Sequence, residues 1–204
     1  MKVLLVNGSP NREGCTYTAL SEVAGALNAN GVETEIFQIG TAPVHGCIAC
    51  RKCAELKKCV FDDDIANKLM EKMKEADGIV IGSPVYYSGP NGALCAVLDR
   101  VFYSSARAFV NKPAAAIVSC RRGGASASFD RLNKYFTISQ MPVVSSQYWN
   151  AVHGFTPDDV RRDEEGLQIM RVLGKNMAWL LKLIEAGGPP EKLNEKRVMT
   201  NFID

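Results

Sequence analysis

Histidine is nearly missing from this chain. Only His45 and His153 occur in 204 residues, so a histidine-rich metal centre is excluded and a Ser-His-Asp triad would have to use one of these two. The sequence also holds no Gly-x-Ser-x-Gly elbow, which removes a common hydrolase arrangement. An excess of one charge is also lacking. Lys+Arg 24 against Asp+Glu 22 leaves a formal +2, and the basic residues are scattered rather than drawn into a stripe that could neutralise phosphates. Nucleic acid is therefore not an expected partner. No apolar run approaches the roughly 20 residues of a membrane helix, because Lys182 interrupts the best late candidate at 177–184. The opening Met-Lys-Val-Leu-Leu-Val meets Asn7-Gly8-Ser9 at once, too short a stretch for the apolar core of a secretory leader. The expectation is a cytoplasmic protein with no membrane partner. Missing, too, are Gly-x-Gly-x-x-Gly and the Gly-Lys-Ser/Thr ending, which weakens dinucleotide-fingerprint and P-loop readings.

What is present is ordinary globular composition, 47% hydrophobic and 23% charged, enough for a sizeable core. Residues 2–6 form a short apolar run, and Leu20, Val23, Ala24 and Leu27 then recur at helical spacing. Residues 33–39 alternate as a second strand. Asp62, Asp63 and Asp64 place negative charge at the start of a helix whose apolar face is Ile65, Leu69, Met70 and Met73. A buried third strand at 78–82 precedes a helix bearing Leu94, Val97, Leu98, Val101 and Phe102. Strand 4 is expected at 113–119, a helix at 126–139, strand 5 at 141–144, and one long helix from Thr156-Pro157 with Ile169, Leu173, Met177, Leu180 and Ile184 inward. Alternating strands and helices predict an α/β fold, a doubly wound five-stranded parallel sheet with right-handed crossovers. One domain is expected over 1–186. After Gly187-Gly188-Pro189-Pro190 the periodicity stops, predicting an extended tail over 187–204 that lies on the body or on a neighbouring subunit.

In open α/β sheets ligands sit beyond the carboxyl ends of the strands. The loop after strand 1 carries Ser9, Asn11, Arg12, Cys15 and Thr16 and opens straight into a helix. Free N–H groups at a helix start, flanked by hydroxyls, hold a phosphate without needing a lysine, and the monophosphate of FMN fits; a polar turn with Thr16 as N-cap is the plain alternative. After strand 3 come Pro84, Val85, Tyr86, Tyr87, Ser88 and Gly89, a proline-stiffened loop with two rings that suits a flat aromatic ligand, or core or interface packing. After strand 4 come Ser119, Cys120, Arg121, Arg122, Gly123 and Gly124. Arginine there can favour a reduced, anionic flavin or pair with a nicotinamide cofactor's phosphates, and can equally be a solvated basic turn. Tyr148, Trp149 and Asn150 through His153, just after strand 5, can line a substrate pocket or serve as interface.

Seven cysteines form an odd set. Cys47, Cys50, Cys53 and Cys59 make C-x2-C-x2-C-x5-C between strand 2 and helix 2, unlike a disulfide scaffold. Two-residue gaps let one loop wrap three corners of a cubane 4Fe-4S cluster while Cys59 reaches the fourth; zinc or unmetallated thiols are the competing readings. Lys52, Lys57 and Lys58 would suit an anionic thiolate cluster, as they would a solvated loop.

Three stretches together, Gly8-Ser9-Pro10 through Thr16, Ser83-Pro84-Val85-Tyr86-Tyr87 leading to Leu98-Asp99-Arg100, and Asn176-Met177-Ala178-Trp179, resemble the NADPH-dependent FMN reductase and iron-sulfur flavoprotein branch of the flavodoxin-like superfamily. The resemblance covers about residues 1–184. It implies strand order 2-1-3-4-5, FMN with NAD(P)H as co-substrate, phosphate contacts from Ser9, Asn11 and Thr16, a flavin ring lined from Pro84 to Gly89, and closure by Ser119 to Gly124. It also implies a 4Fe-4S cluster on the cysteine motif and assembly as a homodimer or homotetramer. Relatives often carry Arg at the place of Asn11 and Asn at that of Cys15; Arg12 stands beside the first as a substitute. The expected function is an FMN-dependent NAD(P)H oxidoreductase serving a small-molecule or electron-carrier acceptor. A flavodoxin-type carrier and a cysteine-based metal- or redox-sensing module are the alternatives; the near-neutral charge speaks against the acidic docking face of a carrier.

Overall fold

The structure is a computed structural model that describes residues 1–188, 190, 195–196, 198–200 and 202. Strand β1 (Lys2–Asn7) is the centre of the architecture. Val3, Leu4, Leu5 and Val6 are all fully buried, as a parallel strand covered on both faces requires. It pairs in parallel with β2 (Glu33–Gln38) on one side and β3 (Gly78–Tyr86) on the other. β3 pairs with β5 (Ala114–Cys120), and β5 with β6 (Ala151–His153), both in parallel. A two-residue strand β4 (Gly89–Pro90) folds back antiparallel on β3. The order β2-β1-β3-β5-β6 is therefore the expected 2-1-3-4-5 once the hairpin strand is set aside.

Alternate side chains feed two cores. Leu4, Val6, Ile79, Ile81, Ala114 and Ala116 face α3 (Ala66–Glu75), α4 (Gly92–Ser105) and α5 (Ala125–Ile138). Val3, Leu5, Val80, Ala115 and Ile117 face α1 (Cys15–Ala29) and α7 (Glu164–Gly187). Among the described residues two short α-helices, α2 (Cys53–Leu56) in the cysteine loop and α6 (Pro157–Arg162) before α7, and a 3-10 turn at Ala106–Ala108 complete the elements.

Three expectations need correcting. The fifth strand is not 141–144 alone. That stretch touches the sheet by an isolated parallel bridge, Val143 with Ala114, leaves the edge, and returns as β6. Asn150 closes the gap: its Nδ2 donates to the Ala116 carbonyl at 3.1 Å, and its own carbonyl accepts from the Val118 N–H at 3.0 Å. A side chain thus replaces a missing ladder bond, which no strand periodicity announces. The long final helix is two helices, because Asp163 at φ −78°, ψ +78° breaks the chain and caps α7 through the Gly166 N–H at 2.9 Å. Helix α3 starts at Ala66, after the aspartates rather than on them. Of the expected tail, Gly187 ends α7, residues 189, 191–194, 197, 201, 203 and 204 lie outside the described residues, and the described remainder is exposed. Among the described residues no helix is long and apolar enough to cross a membrane.

Candidate functional site

Asn7, the last residue of β1, organises the first loop. It is fully buried. Its Oδ1 accepts from the Ser9 N–H at 3.1 Å, and its Nδ2 donates to the Arg12 carbonyl at 3.2 Å and to Gln38 Oε1 at 2.5 Å. Gln38 in turn donates to the Ser9 carbonyl at 2.6 Å. The loop is thereby pinned to two strand ends, and it delivers the chain to α1 with Gly14 as a residue that offers no side-chain cap. No acidic residue occupies the first turn, so the positive end of the helix is left open. Ser9 and Thr16 are buried beside it; Ser9 Oγ accepts from the Asn11 N–H at 3.1 Å. Thr16 does not cap the helix. Its hydroxyl lies 2.8 Å from that of Ser119 and ties the first turn of α1 to the end of β5, because Ser119 and Cys120, expected in the loop, are the last residues of that strand. Asn11 and Arg12 are exposed. Cys15 is half-buried, its sulfur 3.8 Å from the Gly154 carbonyl, and burial pushes its thiol pKa up.

The loop after β3 is tighter than its composition implies. Val85 pairs with Pro90 and Tyr86 with Gly89, leaving Tyr87 and Ser88 as a two-residue turn with φ +50° and +59°. Both sit in the left-handed region that such a turn demands and that Asn or Gly normally fills. Holding an aromatic residue there is strained, and Tyr87 projects wholly into solvent. The hairpin is anchored behind: Ser83 Oγ accepts from the Asn91 N–H at 2.9 Å, and Asn91 caps α4 through the Ala93 N–H at 2.8 Å. Against it lies Gly124, where a Cβ would fall 2.7 Å from Ser88 Cα and 2.8 Å from Val85 Cγ1. The third and fifth strand loops are in backbone contact. Arg121, Arg122 and Gly123 are exposed. Behind this loop a cavity of about 350 Å³ is walled by Arg122, Phe129, Tyr148, Trp149 and His153 among others.

The four-cysteine segment is bent by three left-handed residues, Ala49, Arg51 and Lys57. The turns bring Cys47, Cys50, Cys53 and Cys59 around a single pocket with Phe61 and Arg100. Among the described residues no three Cys, His, Asp or Glu groups stand tightly enough to share one ion. Asn67, buried on α3, grips the end of the segment, accepting from the Cys59 N–H at 2.9 Å and donating to the Cys59, Phe61 and Asp62 oxygens. Arg100 rises from α4 beneath it, only 2% exposed. It forms a buried ion pair with Asp64 and donates to the carbonyls of His45 and Phe61, each at 3.2 Å. Its Nε lies 3.1 Å from Cys59 Sγ. Burial works against the Asp64 charge, but hydrogen bonds from Arg100 and from the His45 and Ala66 N–H groups outweigh it and hold the carboxyl below its usual pKa.

Residues 1–156 match the profile of the NADPH-dependent FMN reductase family. The chain belongs to that family. It is 36% identical to an iron-sulfur flavoprotein of Methanocaldococcus jannaschii over 91% of this chain and all of that protein. It is 29% identical to an iron-sulfur flavoprotein of Methanosarcina thermophila over 91% of this chain and 97% of the other. Its fold matches an archaeal flavodoxin at TM-score 0.62 and 16% identity, covering 89% and 99% of the two chains. Family membership makes it a flavin-dependent oxidoreductase, and the matched span holds every loop described above. Within that span, sequence reasoning missed Asn7, Gln38, Asn67 and the Asp64–Arg100 pair. An Asn at a strand end is a turn signal that could have marked Asn7; a lone Gln in an alternating strand gave none.

Proposed function

We propose that the chain is an FMN-dependent NAD(P)H oxidoreductase that carries a 4Fe-4S cluster, with the flavin phosphate at the N-terminus of α1 and its ring against the wall formed where the Tyr87–Ser88 hairpin meets the 121–124 loop. The observation that carries this reading is the convergence of an uncapped helix start and a strained, ring-bearing hairpin at the carboxyl end of one sheet. Ser9, Thr16 and the first-turn N–H groups match a phosphate in charge and donors. Because Gly124 has no Cβ, the two loops meet backbone to backbone and make one continuous wall against which a flat ring can lie. Arg121 and Arg122 supply positive charge at the rim, where an anionic ring edge or a nicotinamide phosphate would be paired. The cavity behind the loop, with Trp149 and Tyr148 in its wall, is where a planar acceptor or nicotinamide would stack. When bound, FMN supplies acceptance of a hydride and onward release of its electrons.

Cys47, Cys50, Cys53 and Cys59 would hold the cluster, which would pass those electrons on singly. Among the described residues no three of these groups stand closely enough for one shared ion, whereas a cubane spreads its four thiolates over separate corners, so an all-sulfur set around one pocket suits it, and the two relatives named above bear the name iron-sulfur flavoprotein. The test is anaerobic purification followed by a visible spectrum and iron, sulfide and zinc analysis, then addition of NADPH. Bound FMN, iron with sulfide, and bleaching by NADPH are expected. Zinc without sulfide would overturn the cluster; a flavin that NADPH does not bleach would make the protein a carrier instead.

A further inference from the structure

We propose that Arg100 is a positioning residue that sets the reduction potential of the cysteine centre, through a hydrogen bond from its Nε–H to the Cys59 sulfur. The proposal rests on the cluster reading above. A buried guanidinium costs several kcal/mol unless all its donors are met. Here the two Nη groups already have Asp64 and the carbonyls of His45 and Phe61. The third nitrogen, Nε, carries a single N–H, and its partner at 3.1 Å is one of the four cysteine sulfurs.

Arg100 thus grips the segment from both ends, before Cys47 and after Cys59, while touching one of its donor atoms directly. Asp64 offsets the cation's long-range field, since both side chains are 1% exposed, so a short-range bond to sulfur is what distinguishes this corner. Bonds from charged donors are the stronger kind, and low dielectric strengthens them further. Reduction adds negative charge to a cluster and its thiolates, and a donor at sulfur stabilises that state more than the oxidised one. Arg100 therefore raises the potential. Helix α4 also starts directly after the hairpin, with Arg100 about 12 Å along its axis from Gly92, so one rigid element spaces the cysteine centre from the flavin loops.

The test uses the anaerobically purified holoprotein. Iron and sulfide are measured, and the cluster midpoint is then followed by electron paramagnetic resonance through a redox titration of wild type and Arg100→Lys, with the flavin midpoint as internal reference. Lysine keeps a cation for Asp64 but loses the separate N–H aimed at Cys59. The expected result is a variant that retains iron and sulfide with a lower cluster midpoint. A loaded variant whose midpoint does not move overturns the inference. Wild type lacking both sulfide and a resonance signal overturns the cluster reading, and this inference with it. If Arg100→Lys loses the cluster, hyperfine spectroscopy of reduced protein labelled at arginine nitrogen decides. A coupling that persists in Arg51→Gln supports the bond to Arg100, and its absence refutes it.

Discussion

Gly124 holds φ at +88° and leaves no room for a Cβ between Ser88 and Val85. Either feature alone would favour glycine, and together they leave a β-branched residue no accommodating move, because Ser88 Cα is backbone in a strained turn. Gly124→Val should cost about 1–3 kcal/mol of stability and, by parting the two loops, weaken FMN binding at least ~10-fold. Flavin fluorescence titration and thermal melts read the two effects separately. A variant that binds FMN as tightly as wild type would show that these loops do not enclose the ring. The contact itself was invisible in the sequence, where the glycine pair belonged to a loop expected to close over the flavin or to a solvated basic turn; closeness between residues 88 and 124 is a property of the folded sheet. Tyr87 was legible as an exhibited ring, but its backbone strain was not, since nothing in Tyr-Tyr-Ser-Gly specifies a two-residue reversal.

At the scale of elements, the interrupted edge strand gives a second prediction. Asn150→Ala would leave the buried Ala116 carbonyl without its donor, costing roughly 1–3 kcal/mol. That corresponds to a fall in Tm of a few degrees to about 10 °C for a chain of this size. A melt within a degree of wild type would mean that water or a shifted strand replaces the amide. A third prediction concerns pH. Asp159 closes the capping box of α6 with Thr156, and its carboxyl pKa is held down to about 2, first by Arg162 and then by the Thr156 backbone and hydroxyl and the Phe155 N–H. A folded-state pKa below the unfolded value of 3.8 means that the charge stabilises the fold at pH values above that figure. The benefit is lost as pH falls through about 2. The Tm difference between wild type and Asp159→Asn should therefore be full at neutral pH and close between those limits; a difference constant down to strongly acid pH would assign the effect to packing. Thr156-Pro157 was legible as a helix start for local chemical reasons. The break at Asp163 was not, because the apolar spacing of α7 runs on behind it.

For the whole molecule, sequence spacing sufficed for the parallel sheet, since buried strands and amphipathic helices declare themselves in each segment. It sufficed less for the cysteine loop, whose shape depends on Arg100, Asp64 and Asn67 from elements distant in sequence. The loops proposed to hold the flavin make a prediction on the entire fold. A ligand that binds only the folded chain stabilises it by mass action, about 2.7 kcal/mol at a concentration 100 times its Kd. Because the first turn of α1 and the end of β5 are tied through Thr16 and Ser119, and the loop that follows β5 meets the β3 hairpin at Gly124, FMN should raise a single cooperative Tm rather than order one loop. Riboflavin has the same ring without the phosphate. If the uncapped start of α1 holds that phosphate, riboflavin at the same concentration should raise the Tm of the flavin-free protein distinctly less, and inorganic phosphate should erode the advantage of FMN. Equal shifts from the two flavins would leave the ring-binding loops in place and remove the phosphate from the N-terminus of α1.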